Sequence, residues 1–551
     1  MMAIGRVHIV IAGFMLLTLL MGARVVFLHL YDKDFLQEQG DARTVRIDKI
    51  PAHRGMILDR FGKPLAISTP VMSLWAKPAE LLKTPDNLQV LASMLDVPLS
   101  TFEEKLDKNK GKNFVYIRRH MPPNKARQIL DLKIKGIYSE REYQRFYPAG
   151  EVAAHVVGYT NVDDSGQEGI ELSYDSWLQG TPGKKKVLKN LYGEIIRDLE
   201  PISDALPGQH LDLSIDLRLQ YLAYRELKNA VSYHQAKSGS VVIIDAETGA
   251  ILALVNQPSY NPNNRQGLEL ASVRNRAVTD VFEPGSTVKP FTIAVALSSG
   301  DYDTSSTIDT SPGFIKVGTK TIPDPRNYGV LDLGGIIEKS SQVGISKLAL
   351  NLDALSVWSM FSDIGFGQST DIGFPGERTG YLPNRRRWKD IERVTFAYGY
   401  GFQVTPLQLA AAYQIIASGG LKRSLNLVQT SLVEPVRVLD EDVAAKLKIM
   451  LTRVVSQGTG SRAAIDAFAV AGKTGTVRKV GKSGYEDTRH LAFFAGMTPV
   501  KHPRLVGVVM INEPKGKEYG GGAIAAPLFS KIMSESLRLM NVAPDIVEEV
   551  I

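Results

Sequence analysis

One stretch of this chain has no place in a soluble core. Over residues 7–23 almost every side chain is apolar, and Arg6 and Arg24 are the charges that bound it. About seventeen positions is the short end of what a helix needs to cross a bilayer, and no second stretch of this kind follows. The reading is a single membrane-spanning anchor. A cleaved signal peptide is the alternative, because Gly22 and Ala23 are small, but the apolar run exceeds a usual signal core and lacks a clear Ala-x-Ala site. Charge alone does not orient the span: Arg6 before it is outnumbered by Arg24, Lys33, Arg43 and Arg46 after it.

The rest of the 551 residues is globular in composition, with 44% apolar and 22% charged residues over the whole chain. That is too long for one core, and about two to four domains are expected. A formal charge of +7 would suit an anionic surface, yet runs such as Lys184, Lys185 and Lys186 carry no interleaved aromatics. They read as solvated faces, and no nucleic-acid partner is expected. The absence of cysteine excludes disulfides, thiolate catalysis and zinc–thiolate sites, and the nine histidines show no tight ligand spacing. Neither a metal nor a cofactor is expected.

After the anchor, short β-like runs alternate with Gly- and Pro-punctuated loops, notably 53–66 and 147–183, as in an irregular α+β module. From Leu211 the texture changes. Helical spacing over 211–232 precedes apolar strands at 240–245 and 250–256. Helical segments follow at 288–297, 336–352 and 405–417, and strands return around 468–477 and 490–511. Strands at both ends with helices between them predict one antiparallel sheet packed with helices, an α+β fold. The expected domains are an N-terminal tip and anchor over 1–24, an irregular α+β module over 25–206, a sheet-and-helix domain over 207–540 and a tail over 541–551. The polar segment 478–489 is expected to be a mobile loop.

The sharpest local feature is Phe282-Glu283-Pro284-Gly285-Ser286-Thr287-Val288-Lys289-Pro290. Pro and Gly make a turn, Ser286 opens an apolar helix, and Lys289 three positions on shares its face within hydrogen-bonding reach. A neutral amine so placed can take the hydroxyl proton as the oxygen attacks a carbonyl, and burial beside a second cation makes a lysine neutral. The helix start also aims N–H groups at developing negative charge. Taken alone, Ser-x-x-Lys recurs by chance as an N-cap serine beside a surface lysine. A second element raises it above chance: Lys473-Thr474-Gly475-Thr476 follows an apolar run and is continued by Val477, as in a strand lining a cleft. Lys473 with Thr474 or Thr476 can hold a carboxylate, and Gly475 permits close approach of a peptide backbone; a solvated turn is the plainer reading of the same residues. Between the two lies Lys339-Ser340-Ser341-Gln342-Val343-Gly344, where a serine hydroxyl could relay a proton between lysines.

In this order, Ser-x-x-Lys, Ser-x-amide and Lys-Thr-Gly resemble the signature shared by penicillin-binding proteins and serine β-lactamases. The resemblance implies Ser286 as nucleophile, Lys289 as general base, Ser340 as proton relay, and Lys473, Thr474 and Thr476 as carboxylate binders. It also implies the backbone N–H groups of Ser286 and Thr476 as an oxyanion hole. Gln342 stands where the family has asparagine, so its substrate contact must adjust by one methylene.

Arg54 through Ala66 and Arg145 through His155 resemble the non-catalytic pedestal, or dimerisation-type domain, of class B penicillin-binding proteins, which β-lactamases lack. Gly166-Gln167-Glu168-Gly169-Ile170-Glu171 resembles the division-specific branch more than its elongation counterpart. Tyr398-Gly399-Tyr400-Gly401, Thr405-Pro406-Leu407-Gln408 and Gly520-Gly521-Gly522 fit the catalytic domain, while Glu283 reads as structural. The resemblance implies a septal peptidoglycan D,D-transpeptidase that takes D-Ala-D-Ala stem peptides and is acylated by β-lactams. It further implies an inner-membrane location with the catalytic domain in the periplasm, the glycosyltransferase FtsW as a partner through the anchor, and other division proteins as partners through the pedestal. Other readings stay open: a β-lactam-binding scaffold without turnover, which Gln342 keeps alive; a carboxypeptidase or β-lactamase; and an elongation-specific transpeptidase.

Overall fold

The computed structural model describes residues 2–189, 195–431, 433–481 and 484–546. The last five residues of the expected tail, and Lys482 and Ser483 of the polar segment, lie outside the described residues. Two compact units are each assembled from separated pieces of chain: Met1–Arg54, Met72–Glu142 and Gln179–Gly208 in the first, and Gly55–Val71, Tyr143–Leu178 and Gln209–Ile551 in the second.

The first unit opens with the helix Met2–Leu30, whose stretch Val7–Leu30 has mean hydropathy 2.3 over its most apolar window and buries none of it. It is long and apolar enough to cross a membrane. It outruns the expected 7–23 because Val25, Val26, Phe27 and Leu28 continue the apolar run past Arg24. After the helix Lys33–Thr44, the strand Val45–Ile50 pairs antiparallel with Gly183–Lys189, which pairs in turn with Ile195–Ser203. The lysines of the central strand find acids across it, Lys185 with Asp198 at 3.0 Å and Lys186 with Glu200 at 3.4 Å. Both pairs are solvated and contribute little to stability. A core of Leu74, Leu81, Leu91, Phe102, Leu106 and Ile129 holds the rest. The helices Pro85–Met94 and Leu99–Lys108 supply it because apolar residues recur at helical spacing, Leu88 with Leu91 and Phe102 with Leu106.

The second unit has the expected α+β architecture. Its antiparallel sheet runs in the order Ile251–Gln257, Ser238–Asp245, Leu505–Asn512, Gly484–Thr498 and Ala471–Gly481, so strands from both ends of the catalytic region share it. Every residue of Ser238–Asp245 and Leu505–Asn512 is buried. Covered on both faces, such strands read as unbroken apolar runs rather than alternating ones. One face packs against the helices Leu217–Tyr233 and Gly521–Leu539 through Leu219, Leu227, Phe529 and Ile532. The other packs against Pro406–Ala417 through Val242, Ile244 and Leu409, and Phe291 of Lys289–Ser299 meets that helix edge-on at Tyr413.

Three differences from the sequence reading have physical causes. The helix expected over 336–352 is two, Leu333–Lys339 and Gln342–Asn351, because Ser340 adopts φ 58° and Ser341 turns its hydroxyl back to cap the second. Outside Lys482 and Ser483 the segment 478–489 is strand rather than loop: both strands of the hairpin run into it, Arg478 meets Asp487 at 2.8 Å, and Arg489 meets Glu486 and Glu513. Charge pairs across and along the ribbon let so polar a hairpin extend beyond the sheet. The helix expected from 211 starts at Leu217, after Asp216 caps the Arg218 N–H, and Leu211–Asp212 is a strand.

The pedestal-type motifs within this unit do structural work. Arg145 and Glu171 form an ion pair with both side chains almost fully buried, and Asp59 accepts from the N–H groups of Phe61 and Lys63 to close the turn at Gly62. The tail beyond 541 docks through Asp545, which accepts from the Ala469 N–H at 2.8 Å and the Val500 N–H at 3.1 Å.

Candidate active site

Ser286 lies in a one-turn 3-10 helix, Gly285–Val288, that leads into the α-helix Lys289–Ser299 with Pro290 in its first turn. Close backbone packing fixes this turn. The Gly285 N–H donates to the Gly399 carbonyl at 2.9 Å, and a Cβ on Gly399 would lie 2.1 Å from the Gly285 oxygen. Only glycine with its positive φ of 95° fits there, which accounts for the Tyr-Gly-Tyr-Gly motif. The Tyr413 hydroxyl adds a bond to the Thr287 carbonyl at 2.8 Å. The result is a half-buried Ser286, whose hydroxyl has no hydrogen-bond partner among the described residues, above a Lys289 with no exposed surface.

The break between the two helices of the second motif brings Ser340 to that lysine. Lys289 Nζ donates to the Ser340 carbonyl at 2.6 Å and to the Ser341 carbonyl at 3.2 Å, and lies 3.4 Å from Ser340 Oγ. Burial pushes the Lys289 pKa down to about 7, against the opposing charge of Asp324. Asp324 is a residue the sequence reading missed. It accepts from the Ser341 hydroxyl and from the Gln342 and Val343 N–H groups, anchoring the start of the second helix. In Pro323-Asp324-Pro325 the sequence displays only a turn.

Lys473 is also without exposed surface, on the strand Ala471–Gly481, and donates to the Thr474 carbonyl and hydroxyl at 3.3 and 3.4 Å. Burial, and after it the charge of Lys289, holds its pKa well below the usual lysine range. The two amines therefore share one electrostatic site although 184 positions separate them, 473 less 289. Thr474 is almost fully buried and bonded to Thr459 at 2.9 Å, whereas Thr476 is exposed and accepts from the Gly521 N–H at 2.9 Å. A Cβ on Gly475 would lie 2.0 Å from the ring of Phe493, its partner across the ladder. Its missing side chain makes room for that ring, so packing alone demands glycine at this position.

The turn and the strand that carry the Ser286 and Thr476 N–H groups touch, since a Cβ on Gly285 would meet Val477 at 2.7 Å. Gln342 and Thr476, with Tyr400, Arg478, Tyr485, His490 and Tyr519, line an adjoining cleft of about 360 Å³. Glu283 ties its walls: it accepts from the Gly401 N–H and the Tyr485 hydroxyl, each at 2.9 Å. Tyr485, Tyr400 and Tyr519 escaped the sequence reading because nothing in local spacing separates a cleft tyrosine from a packed one. Among the described residues, no group of three or more His, Asp or Glu side chains is placed to hold a metal.

Residues 239–534 match the family model for the penicillin-binding protein transpeptidase domain, and residues 49–213 match that for the penicillin-binding protein dimerisation domain. Peptidoglycan D,D-transpeptidase FtsI of Escherichia coli (strain K12) is 43% identical over 529 residues, 95% of this chain and 90% of that protein. The probable peptidoglycan D,D-transpeptidase PbpC of Pseudomonas aeruginosa is 40% identical over 542 residues, 98% of this chain and 96% of its own. Among solved structures, the transpeptidase domain of Burkholderia pseudomallei penicillin-binding protein 3 is 38% identical with a TM-score of 0.56, covering 61% of this chain and 98% of that one. Penicillin-binding protein 3 of Mycobacterium tuberculosis, complexed with aztreonam, is 26% identical with a TM-score of 0.71, covering 91% and 98%.

Proposed function

The chain belongs to the class B penicillin-binding proteins, and on that premise we propose how it works as a septal peptidoglycan D,D-transpeptidase, with Ser286 as the acylated residue. The observation that carries the reading is a half-buried Ser286 on the turn that leads into the completely buried Lys289, whose charge acts on the completely buried Lys473 of a separate strand. Burial strips the proton from an amine and so supplies a base near neutral pH.

Neutral Lys289 takes the proton of Ser286 Oγ as that oxygen bonds to the carbonyl carbon of the penultimate D-Ala. The Ser286 and Thr476 N–H groups receive the negative charge that develops on the carbonyl oxygen. The C–N bond then breaks, the departing D-Ala nitrogen takes the proton from Lys289, and an ester on Ser286 remains. An amine of a neighbouring stem peptide attacks this ester; its proton passes to Lys289 and on to Ser286 Oγ as the ester bond breaks. Ser340, next to the Lys289 amine, relays protons. Lys473, with Thr474 and Thr476, receives the terminal carboxylate, whose charge favours an ammonium at Lys473. Gln342 holds the donor peptide from the cleft wall. The cleaved peptide bond supplies the free energy, so the reaction runs where there is no nucleotide. β-Lactams enter by the same acylation.

The N-terminal helix is a single-pass anchor, and the location of the substrate places the catalytic unit in the periplasm. In this reading FtsW binds through the anchor helix and other division proteins bind through the first unit. A fluorescent penicillin is expected to label the protein covalently and to leave Ser286→Ala unlabelled at an unchanged melting temperature. An added amine acceptor should capture the acyl group from a D-Ala-D-Ala donor. Label retained in Ser286→Ala would remove the nucleophile assignment, and fast drug hydrolysis would make the chain a hydrolase.

A further inference from the structure

A second cavity of the same unit is lined by segments that transpeptidation leaves unused. His155, Tyr159 and Glu168, from the pedestal-type region, face Tyr260, Arg274 and Phe374 across about 400 Å³, and no lining residue is shared with the cleft beside Ser286. His155 is 5% exposed, and its Nε2 bonds the Ser272 carbonyl at 2.7 Å. Burial, helped by the charge of Arg276, pushes its pKa down to about 4, so the ring is neutral, Nε2 carries the proton, and Nδ1 is a lone-pair acceptor. No donor among the described residues reaches that Nδ1. The Glu168 carboxylate belongs to an exposed residue at the cavity rim, has neither a hydrogen bond nor an ion pair among the described residues, and has its pKa raised by partial burial. Of the cations nearby, Arg274 holds Asp280 at 2.7 Å, Arg276 donates to the Ala271 carbonyl at 2.8 Å, and Arg265 donates to the Thr160 carbonyl while stacking over Tyr159 at 4.5 Å. Tyr260 stands edge-on to both His155 and Tyr159.

Two idle acceptors, one of them anionic, between aromatic walls make a receptor for a compact cation rich in N–H donors. We propose that this cavity binds the primary ammonium group of an uncross-linked stem peptide, with Glu168 and His155 Nδ1 as acceptors and Tyr159, Tyr260 and Phe374 as walls. The inference rests on the transpeptidase reading, because the acceptor of that reaction is an amine on a stem peptide and every uncross-linked strand displays one. An anionic ligand is disfavoured by Glu168, and an apolar one would leave both acceptors unmet. A strand held here stays on the enzyme while another occupies the catalytic cleft.

The test uses full-length protein in detergent, first acylated to completion with penicillin so that the catalytic cleft is closed. Calorimetric titration with Nα-acetyl-L-Ala-γ-D-Glu-L-Lys, a tripeptide whose one amine is the lysine Nε, should show saturable binding, and its Nε-acetylated form should bind at least about tenfold more weakly. Glu168→Gln should weaken binding of the tripeptide with its free Nε about tenfold. Leu172→Trp, which fills the cavity from an exposed rim position, should weaken it without touching either acceptor. Penicillin labelling of the same preparations checks that each variant is folded. The tripeptide and its Nε-acetylated form bound alike, or neither bound to the acylated protein, would overturn this proposal alone. Failure of wild-type protein to acylate would overturn the transpeptidase reading and this proposal with it. Nα-acetyl-lysine amide bound as tightly as the tripeptide would assign the cavity to a protein lysine and overturn the cell-wall assignment.

Discussion

Lys289 sits between the carbonyl oxygens of Ser340 and Ser341, and Asp324 supplies the charge that favours its protonated form. Burial outweighs that charge and brings the pKa to about 7. Below that value the amine already carries its proton and cannot accept another. Acylation by a penicillin should therefore rise about tenfold per pH unit on the acid side and level off above about pH 7. Asp324→Asn makes the assignment sharper. Removing a negative charge lowers a neighbouring lysine's pKa further, so the acid limb should move to lower pH. The plateau should fall as well, because an amide cannot accept from the Ser341 hydroxyl and both N–H groups as a carboxylate does. Stopped-flow acylation of both proteins from about pH 5 to 9 reads both effects. A purely structural Asp324 would lower the plateau and leave the limb in place, which would detach the limb from Lys289.

Between elements, the site is made by interruptions. The helix break at Ser340 sets its carbonyl and hydroxyl against Lys289 where a continuous helix would carry them away, and the 3-10 turn Gly285–Val288 leads Ser286 into the helix that Lys289 opens. The hairpin Ala471–Gly481 with Gly484–Thr498 reaches back to the nucleophile turn through the Tyr485 hydroxyl on Glu283. Tyr485 is half exposed, so losing its hydroxyl should leave the melting temperature unchanged. In Tyr485→Phe the hairpin loses that tether, and we expect acylation to fall about three- to tenfold, the scale of one hydrogen bond. The loss should appear in the non-covalent affinity for the drug, with the limiting acylation rate retained. A loss confined to the limiting rate would contradict a tethering role. The same interruptions explain what was legible in the sequence. Ser286, Lys289 and Lys473 could be read because each stands in a short pattern beside an apolar run. The break at Ser340 could not, since apolar spacing continues across 336–352 and hides both a left-handed residue and the Ser341 cap. Asp324 and Glu283 act across 17 and 118 positions, to Ser341 and Gly401, and no local window contains such a pair.

On the scale of the whole molecule, composition marks a change of texture near Leu211, and the sheet order follows from strands at both ends of the catalytic region. The assignment of Gly55–Val71 and Tyr143–Leu178 to the catalytic unit was not legible, because long-range pairs such as the Arg60 N–H with the Ile215 carbonyl, Gln220 with the Val152 carbonyl, or Asn263 with the Tyr147 backbone decide it. The anchor is the opposite case. Its apolar stretch is visible in sequence and buries nothing in the folded chain, so its apolar surface is left for the membrane and what lies within it. Removing residues 1–30 should accordingly give a protein soluble without detergent whose acylation by a soluble penicillin stays within about twofold of the full chain, since no core residue is lost. Cross-linking of membrane-held substrate should respond differently. A single-pass helix confines enzyme and substrate to one surface and raises their effective concentration, so the fragment should lose about tenfold or more on liposome-bound donor strands while keeping its rate on soluble donor peptides. Equal losses on soluble and membrane-held substrates would mean that the anchor shapes the catalytic unit itself rather than its concentration at the membrane.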